Sequence, residues 1–244
     1  MTATTVYVDV DGTLVGPGGD VLSGDGRRLV HALLRCRDAG IAVVPVTGRG
    51  RVQVRELCRL LGFSRGIAEL GCVHLEGHEV RYELGAFPFL GATPVERMLR
   101  DGVLDVAAEQ GLEPHEPWNE GREATYLLRG KVDEATVSAR LAAAGHPWCE
   151  LVDNGVLRRG GHVYHLAPAG TGKAHGVEVD RRHHGIARDA TIYVGDSASD
   201  VACAEQVGEC WLVANADPDL DWPHRTGGSY GDGVAEVLER LLSS

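Results

Sequence analysis

The chain lacks the features that would send it to a membrane or a nucleic acid. Its 244 residues carry a formal net charge of −11, so it has no basic surplus of the kind that neutralises the phosphates of DNA, RNA or an anionic bilayer. No stretch reaches the roughly 18 apolar residues of a membrane-spanning helix. No basic segment followed by an apolar one opens the chain, so a secretory signal is not expected. The six cysteines, at positions 36, 58, 72, 149, 203 and 210, form no Cys-x-x-Cys pair. They are expected as reduced, mostly buried thiols of a cytoplasmic protein. Internal repeats and low-complexity tracts are also missing. What is present is a composition 43% hydrophobic, enough for one large α/β core or a core with a small second domain. The acidic balance still admits small anionic partners, because a bound metal and a lysine override the global field at short range.

The first third reads as strand, helix, strand, helix, strand. Residues 4–8 are a β-rich run ending at Asp9. Residues 24–39 carry Leu29, Ala32, Leu33 and Cys36 at helical spacing, and Gly40 ends the helix. Residues 41–46 are a continuous apolar run, as in a strand covered on both faces. A helix over 52–61 and a strand over 66–69 follow. That order marks a parallel sheet. The pattern then changes: a hairpin around Glu76-Gly77-His78, one helix over 94–110, a strand over 124–129, a helix over 132–144, and strands over 148–152 and 163–166 flanking a turn at Asp153-Asn154-Gly155. Parallel order resumes with a helix over 173–184, a strand over 191–194, a helix over 199–207, a strand over 210–213 and a last helix over 231–242. The expected fold is therefore α/β, a Rossmann-like three-layer parallel-sheet core formed by residues 1–74 and 165–244. An α+β unit, 75–164, is inserted into it.

Open parallel sheets bind ligands at the carboxyl ends of their strands. Asp9, Thr47 and Asp196 each follow a strand-like run, so each can reach one crevice. Asp9 and Asp11 lie two residues apart, and close carboxylates repel unless a cation sits between them. Mg²⁺ suits carboxylate oxygen and water without an all-protein cage. A carboxylate such as Asp9 can attack phosphorus and hold an aspartyl-phosphate. Asp11 can protonate a leaving alkoxide and later deprotonate water. Thr47, with the turn at Gly48 and Arg49, offers hydroxyl and backbone donors to phosphate oxygens. Lys173 can neutralise developing charge. Asp196 would complete the metal shell beside Asp9 and the Asp11 carbonyl, and Asp200 would bind metal directly or through water. Each piece alone has a plain reading as a turn, a helix cap or a solvated lysine. Their joint order does not.

Four motifs in that order resemble the haloacid dehalogenase-like phosphatases. They are Asp9-Val10-Asp11-Gly12-Thr13-Leu14; Val46-Thr47-Gly48-Arg49; Lys173 within Thr171-Gly172-Lys173-Ala174-His175-Gly176-Val177; and Gly195-Asp196-Ser197-Ala198-Ser199-Asp200. The resemblance covers essentially the whole chain. It implies Asp9 as nucleophile, Asp11 as acid/base, Thr47 and Lys173 as phosphate ligands, and Mg²⁺ among Asp9, Asp11 and Asp196. The position of the insert, between the second and third motifs, resembles the cap of the sugar-phosphatase branch. That branch holds sucrose-phosphate, mannosyl-3-phosphoglycerate, trehalose-phosphate and archaeal phosphoglycolate phosphatases. Two departures stand out: Ser199, where the branch commonly has Asn, and Glu69-Leu70-Gly71, where many relatives read Glu-Asn-Gly.

The expected activity is a Mg²⁺-dependent phosphomonoesterase acting on a sugar phosphate or a glycosyl-phosphoglycerate-like metabolite. A phosphomutase of the same branch, or a non-catalytic binding module that kept the fold, are the alternatives. In the cap, Arg122 and Arg129 are the candidate substrate contacts, with Glu123 and Lys131 beside them, since an arginine can clamp a second anionic group. His162 and His165 flank Tyr164 at the cap–core junction, where substrate contact and a hinge or packing role are both open. His183-His184 has no further ligands at suitable spacing, so no zinc site is expected there. Trp118 is the one tryptophan placed as a candidate sugar platform; the others read as packing anchors. Nothing in the sequence indicates the oligomeric state.

Overall fold

The computed structural model describes residues 4–22, 24–89, 91–156 and 160–243. Its larger sheet has seven strands: β1 (Thr5–Asp9), β2 (Ala42–Val46), β3 (Arg65–Ala68), β4 (Val73–Glu76), β5 (Glu79–Tyr82), β10 (Thr191–Gly195) and β11 (Glu209–Leu212). Their order is β11-β10-β1-β2-β3-β4-β5. The first five are parallel, and the β4–β5 hairpin adds antiparallel strands to one edge. β1 therefore lies between the strand that follows it in sequence and one met only after the insert. The order in which strands are added to the sheet reverses there, and a crevice opens at the strand ends.

Both faces of this sheet are buried, which explains its unbroken apolar strands. Val6 and Val8 of β1 pack with Leu29, Ala32 and Cys36 of α1 (Gly26–Asp38) and with Val234, Val237 and Leu238 of α8 (Tyr230–Leu241). Tyr7, between those valines, faces the opposite layer with Val44, Val46, Tyr193 and Val177. Val177 belongs to α6 (Lys173–His183). The helix α2 (Arg51–Leu61) sets Val54 against Ala68, Cys72, Val73 and Ala124.

The second sheet is antiparallel, with β6 (Glu113–Pro114), β7 (Tyr126–Gly130), β8 (Cys149–Val156) and β9 (His162–Pro168) in the order β6-β7-β9-β8. Its core joins Tyr126, Leu128, Leu151, Tyr164 and Leu166 to Met98 of α3 (Pro94–Arg100), Val103 and Ala107 of α4 (Val103–Glu109) and Leu141 of α5 (Glu134–Ala143). Alternation along β7 and β9 sends Leu127 and His165, which are cross-strand partners, to the other face.

Four local expectations change. The single helix over 94–110 is two helices, because Gly102 adopts φ 82° and redirects the chain. The turn at Asp153-Asn154-Gly155 lies inside β8, where the register shifts between Asp153 and Val156, so the strand bulges instead of reversing. The helix over 199–207 shortens to α7 (Ala198–Val201), followed by a 3-10 turn over Ala202–Gln206. The hairpin near Gly77, read with the insert, pairs with the edge of the parallel sheet.

Candidate active site

Strand neighbours and register bring the distant motifs together. Asp9 is paired with Val46, so Thr47 begins one residue beyond it; Val8 is paired with Val194, so Gly195 and Asp196 follow on the other side. Lys173, the first residue of α6, is buried beneath them. Its Nζ donates to Asp9 Oδ1 at 2.7 Å and to Asp200 Oδ1 at 2.8 Å. A cation at a helix N-terminus opposes the helix dipole, and these two carboxylates offset that cost.

Asp200 is fully buried and saturated. Besides Lys173, its oxygens accept from Tyr193 Oη (2.7 Å), the backbone N–H groups of Asp196 and Ser197 (3.0 Å each) and Ser197 Oγ (2.6 Å). Burial raises its pKa, but Lys173 and the Ser197 and Tyr193 hydroxyls outweigh that, and the carboxyl is held below the usual range. Asp9 shares the same lysine but has fewer donors. Burial pushes its pKa up, Lys173 only partly opposes this, and the charges of Asp200 and Asp196 add to the rise. Asp196 is raised to about 6 by burial and by Asp200, with Lys173 opposing. Carboxylate oxygens of Asp9, Asp196 and Asp200 lie within 4.8 Å of one another. Three acids thus share one lysine, and two of them are short of positive charge. Among these residues a hard divalent cation fits the donor set.

The side chain of Asp11 stands apart from that cluster. Half-exposed, it accepts from Arg49 Nε at 2.8 Å and Nη2 at 2.6 Å. Thr47 is buried, and its Oγ1 accepts from the Arg49 backbone N–H at 3.2 Å. The turn Thr47-Gly48-Arg49 is braced from below, where Leu70 N–H donates to the Thr47 carbonyl and Glu69 N–H to the Arg49 carbonyl.

Cap residues divide sharply. Arg122 is buried and reaches the turn, donating from Nη2 to the Gly48 carbonyl at 2.9 Å. Arg129 is exposed on β7 and pairs with Glu113 at 2.8 Å; among the described residues no hydrogen bond or ion pair joins it to a motif residue. Glu123 pairs with Arg51 of α2, and Lys131 is exposed. His162 bonds Asp153 at 2.6 Å and stacks on Tyr164, away from the crevice. His165, in contrast, lies over Gly48. Trp118 is exposed; its carbonyl accepts from Arg122 Nε and its backbone N–H donates to the His115 carbonyl. At the far end of α6, His183 and His184 do gain a neighbour, Glu76 of β4, which sequence spacing could not reveal.

One buried acid was not assigned a role from sequence. Glu69 has no solvent exposure, and its carboxylate accepts from the backbone N–H groups of Ala124 and Thr125 at 2.8 Å and of Glu123 at 3.2 Å. It is a core residue bound to the cap backbone. A lone acid closing the otherwise apolar run Ile67-Ala68 was the available signal.

No family model matches the chain. A phosphoglycolate phosphatase of Halorubrum lacusprofundi is 31% identical over 242 residues, covering 96% of this chain and 95% of that protein. One of Pyrobaculum aerophilum is 32% identical over 248 residues, covering 100% and 97%. Among solved structures, Thermoplasma acidophilum 0175 superposes with a TM-score of 0.74 at 17% identity over 99% of both chains. The sucrose-phosphatase of Synechocystis gives 0.71 at 19% identity, covering 99% and 98%. These similarities, with the four motifs converging on one sheet edge, show that the chain belongs to the haloacid dehalogenase-like phosphatases, in the company of the phosphoglycolate phosphatases.

Proposed function

We propose that this phosphatase is a Mg²⁺-dependent phosphomonoesterase that hydrolyses a small phosphorylated metabolite through an aspartyl-phosphate on Asp9. The observation that carries the reading is Lys173 bridging Asp9 and Asp200 at the switch point of the sheet, beside an acid cluster short of positive charge. Asp9 and Asp196, with the backbone carbonyl of Asp11, would hold the metal. Asp200, whose oxygens already accept five hydrogen bonds, serves by orienting Lys173 and the Asp196 backbone. Bound Mg²⁺ would neutralise charge shared by the carboxylates and the phosphate oxygens.

The chain's own groups supply the rest. The phosphate oxygens take hydrogen bonds from Thr47 Oγ1, the backbone N–H of Gly48 and Lys173 Nζ. An Asp9 oxygen attacks phosphorus, and the ester P–O bond breaks. Asp11 turns from Arg49 and gives its proton to the departing alkoxide. Asp11 then removes a proton from water, the water oxygen attacks phosphorus, and the bond to Asp9 breaks, releasing orthophosphate.

The segment between β5 and α6 acts as the cap that covers this crevice; its boundary falls after Tyr82, later than residue 75. Two features support a short leaving group over the sugar phosphates or glycosyl-phosphoglycerates that the branch as a whole suggests: the relatives' activity on phosphoglycolate, and the direct contact of Arg122 with the phosphate turn. The six cysteines are all free, and among the described residues no helix is long and apolar enough to cross a membrane; both support action in the cytoplasm. The test is phosphate release with Mg²⁺ from a panel spanning 2-phosphoglycolate, hexose phosphates and disaccharide phosphates, with Asp9→Asn as control. A preferred ester turned over with kcat/KM of about 10⁴ M⁻¹s⁻¹ or more, and lost in Asp9→Asn, is expected. Isomerised sugar phosphate without free phosphate would favour the mutase alternative, and no turnover with no Mg²⁺-induced stabilisation would favour a binding module.

A further inference from the structure

The cap face turned towards the core carries polar groups that the phosphoryl chemistry leaves unused. His165 is 1% exposed. Its Nδ1 lies 3.2 Å from Thr125 Oγ1, and its Nε2 has no hydrogen-bond partner among the described residues. That nitrogen sits over the phosphate turn: a methyl group at Gly48 would come within 2.9 Å of it. Burial, helped by the charges of Arg122 and Lys173, holds the imidazole well below its ordinary pKa, so it is neutral. Thr125 Oγ1 lies closer to His165 than to Glu69 (3.2 against 3.4 Å). In the tautomer in which the Thr125 hydroxyl donates to Nδ1 instead of to Glu69, Nε2 carries the hydrogen and is a free donor.

Arg122 has a matching surplus. Its three bonds, Nε to the Trp118 carbonyl, Nη1 to Thr125 Oγ1 and Nη2 to the Gly48 carbonyl, all go to neutral oxygens. A guanidinium has five N–H donors, so two remain. Among the described residues it forms no ion pair, although it is only 9% exposed. A buried positive charge with spare donors beside a neutral N–H donor matches a carboxylate. Its contact with Gly48 sets it beside the turn whose backbone would bind the phosphate, so the anion it reads lies close to the phosphate. Glu69 fixes the arrangement by binding the backbone of residues 123–125 from the core side.

We propose that Arg122 and His165 form a subsite for a carboxylate on the leaving group, with Glu69 as its positioning residue, so that the enzyme selects phosphate esters of short hydroxy acids. This rests on the phosphatase reading above.

The test compares kcat/KM for 2-phosphoglycolate and for 2-hydroxyethyl phosphate, the same ester with an alcohol replacing the carboxylate. Wild type, Arg122→Gln, His165→Asn and Asp9→Asn are assayed with Mg²⁺. The wild-type ratio is expected to be at least about thirtyfold in favour of the acid. Each cap variant is expected to lower that ratio at least about fivefold, because the neutral ester lacks the group they bind. A wild-type ratio near one, or variants that slow both esters in parallel, overturns the subsite. Should Arg122→Gln fail to show a cooperative melt, His165→Asn decides alone. Release from either ester that vanishes in Asp9→Asn keeps the phosphatase reading when the subsite fails. No release from either ester, or from p-nitrophenyl phosphate, sinks both.

Discussion

Glu69 offers the sharpest test of how the cap is held. Its carboxylate takes the N–H groups of Ala124 and Thr125, both buried, and that of Glu123, partly buried. Glu69 and Leu70 adopt φ of 49° and 57°, a left-handed region that side chains rarely occupy. That backbone strain is sustained by the contacts around it. Glu69→Ala leaves two fully buried donors unpaired, at about 1–3 kcal/mol each. The third is near enough to solvent to find water. A loss of about 2–6 kcal/mol follows, a large part of the ~5–15 kcal/mol that holds a typical domain. Glu69→Gln keeps one acceptor but turns an amide N–H₂ towards donors and loses the charge assistance, so it costs about 1–2 kcal/mol. Urea denaturation gives the two values from the midpoint shifts. Amide exchange locates the effect, since protection at Ala124 and Thr125 falls first. A cost below about 0.5 kcal/mol for Glu69→Ala, with exchange at those amides unchanged, would refute the idea that this carboxylate joins cap to core.

Other outcomes follow from the same geometry. Asp200→Asn removes one of the two anions holding Lys173 and unbalances five hydrogen bonds; stability should fall by about 3–5 kcal/mol, and phosphate release should drop at least about a hundredfold. Gly176→Ala puts a methyl 2.6 Å from Gly71 Cα and 3.1 Å from Ile67 Cγ2. α6 must move, lowering the melting temperature by the equivalent of about 1–3 kcal/mol and slowing turnover because Lys173 starts that helix; an unchanged melt contradicts the packing. His74 is buried, and burial lowers its pKa to about 4. Between about pH 6.5 and 4 the unfolded chain binds a proton that the folded one refuses, so stability falls as pH falls, by about 3 kcal/mol across the window. His74→Asn should lose correspondingly less than wild type between pH 7 and pH 4.5 in urea titrations, and identical losses would exclude the assignment.

The sequence by itself determined the parts whose chemistry is local. Strand runs such as residues 41–46 are apolar throughout because both sheet faces are covered, and a carboxylate or hydroxyl just past such a run must lie at the sheet's edge. Asp9, Thr47 and Asp196 were legible at that edge on those grounds, and Lys173 and Asp200 stood out through the order of the four motifs. The single helix over 94–110 was not, since helical spacing persists across Asp101-Gly102 while one left-handed glycine ends it. Nor was the bulge that keeps Asn154 within β8, because turn residues serve bulges equally well. Tertiary structure alone decided which of several cap charges reaches the Thr47-Gly48-Arg49 turn. Arg122 and Arg129 look equivalent in sequence, yet one reaches Gly48 and the other pairs with Glu113. Strand alternation placed His165 over the crevice and Tyr164 in the cap core, a one-residue distinction that depends on register. Glu69 is the clearest case: its partners are backbone N–H groups more than fifty residues away. Every residue carries such a group, so no sequence pattern marks them, and only folding brings them within reach of the carboxylate.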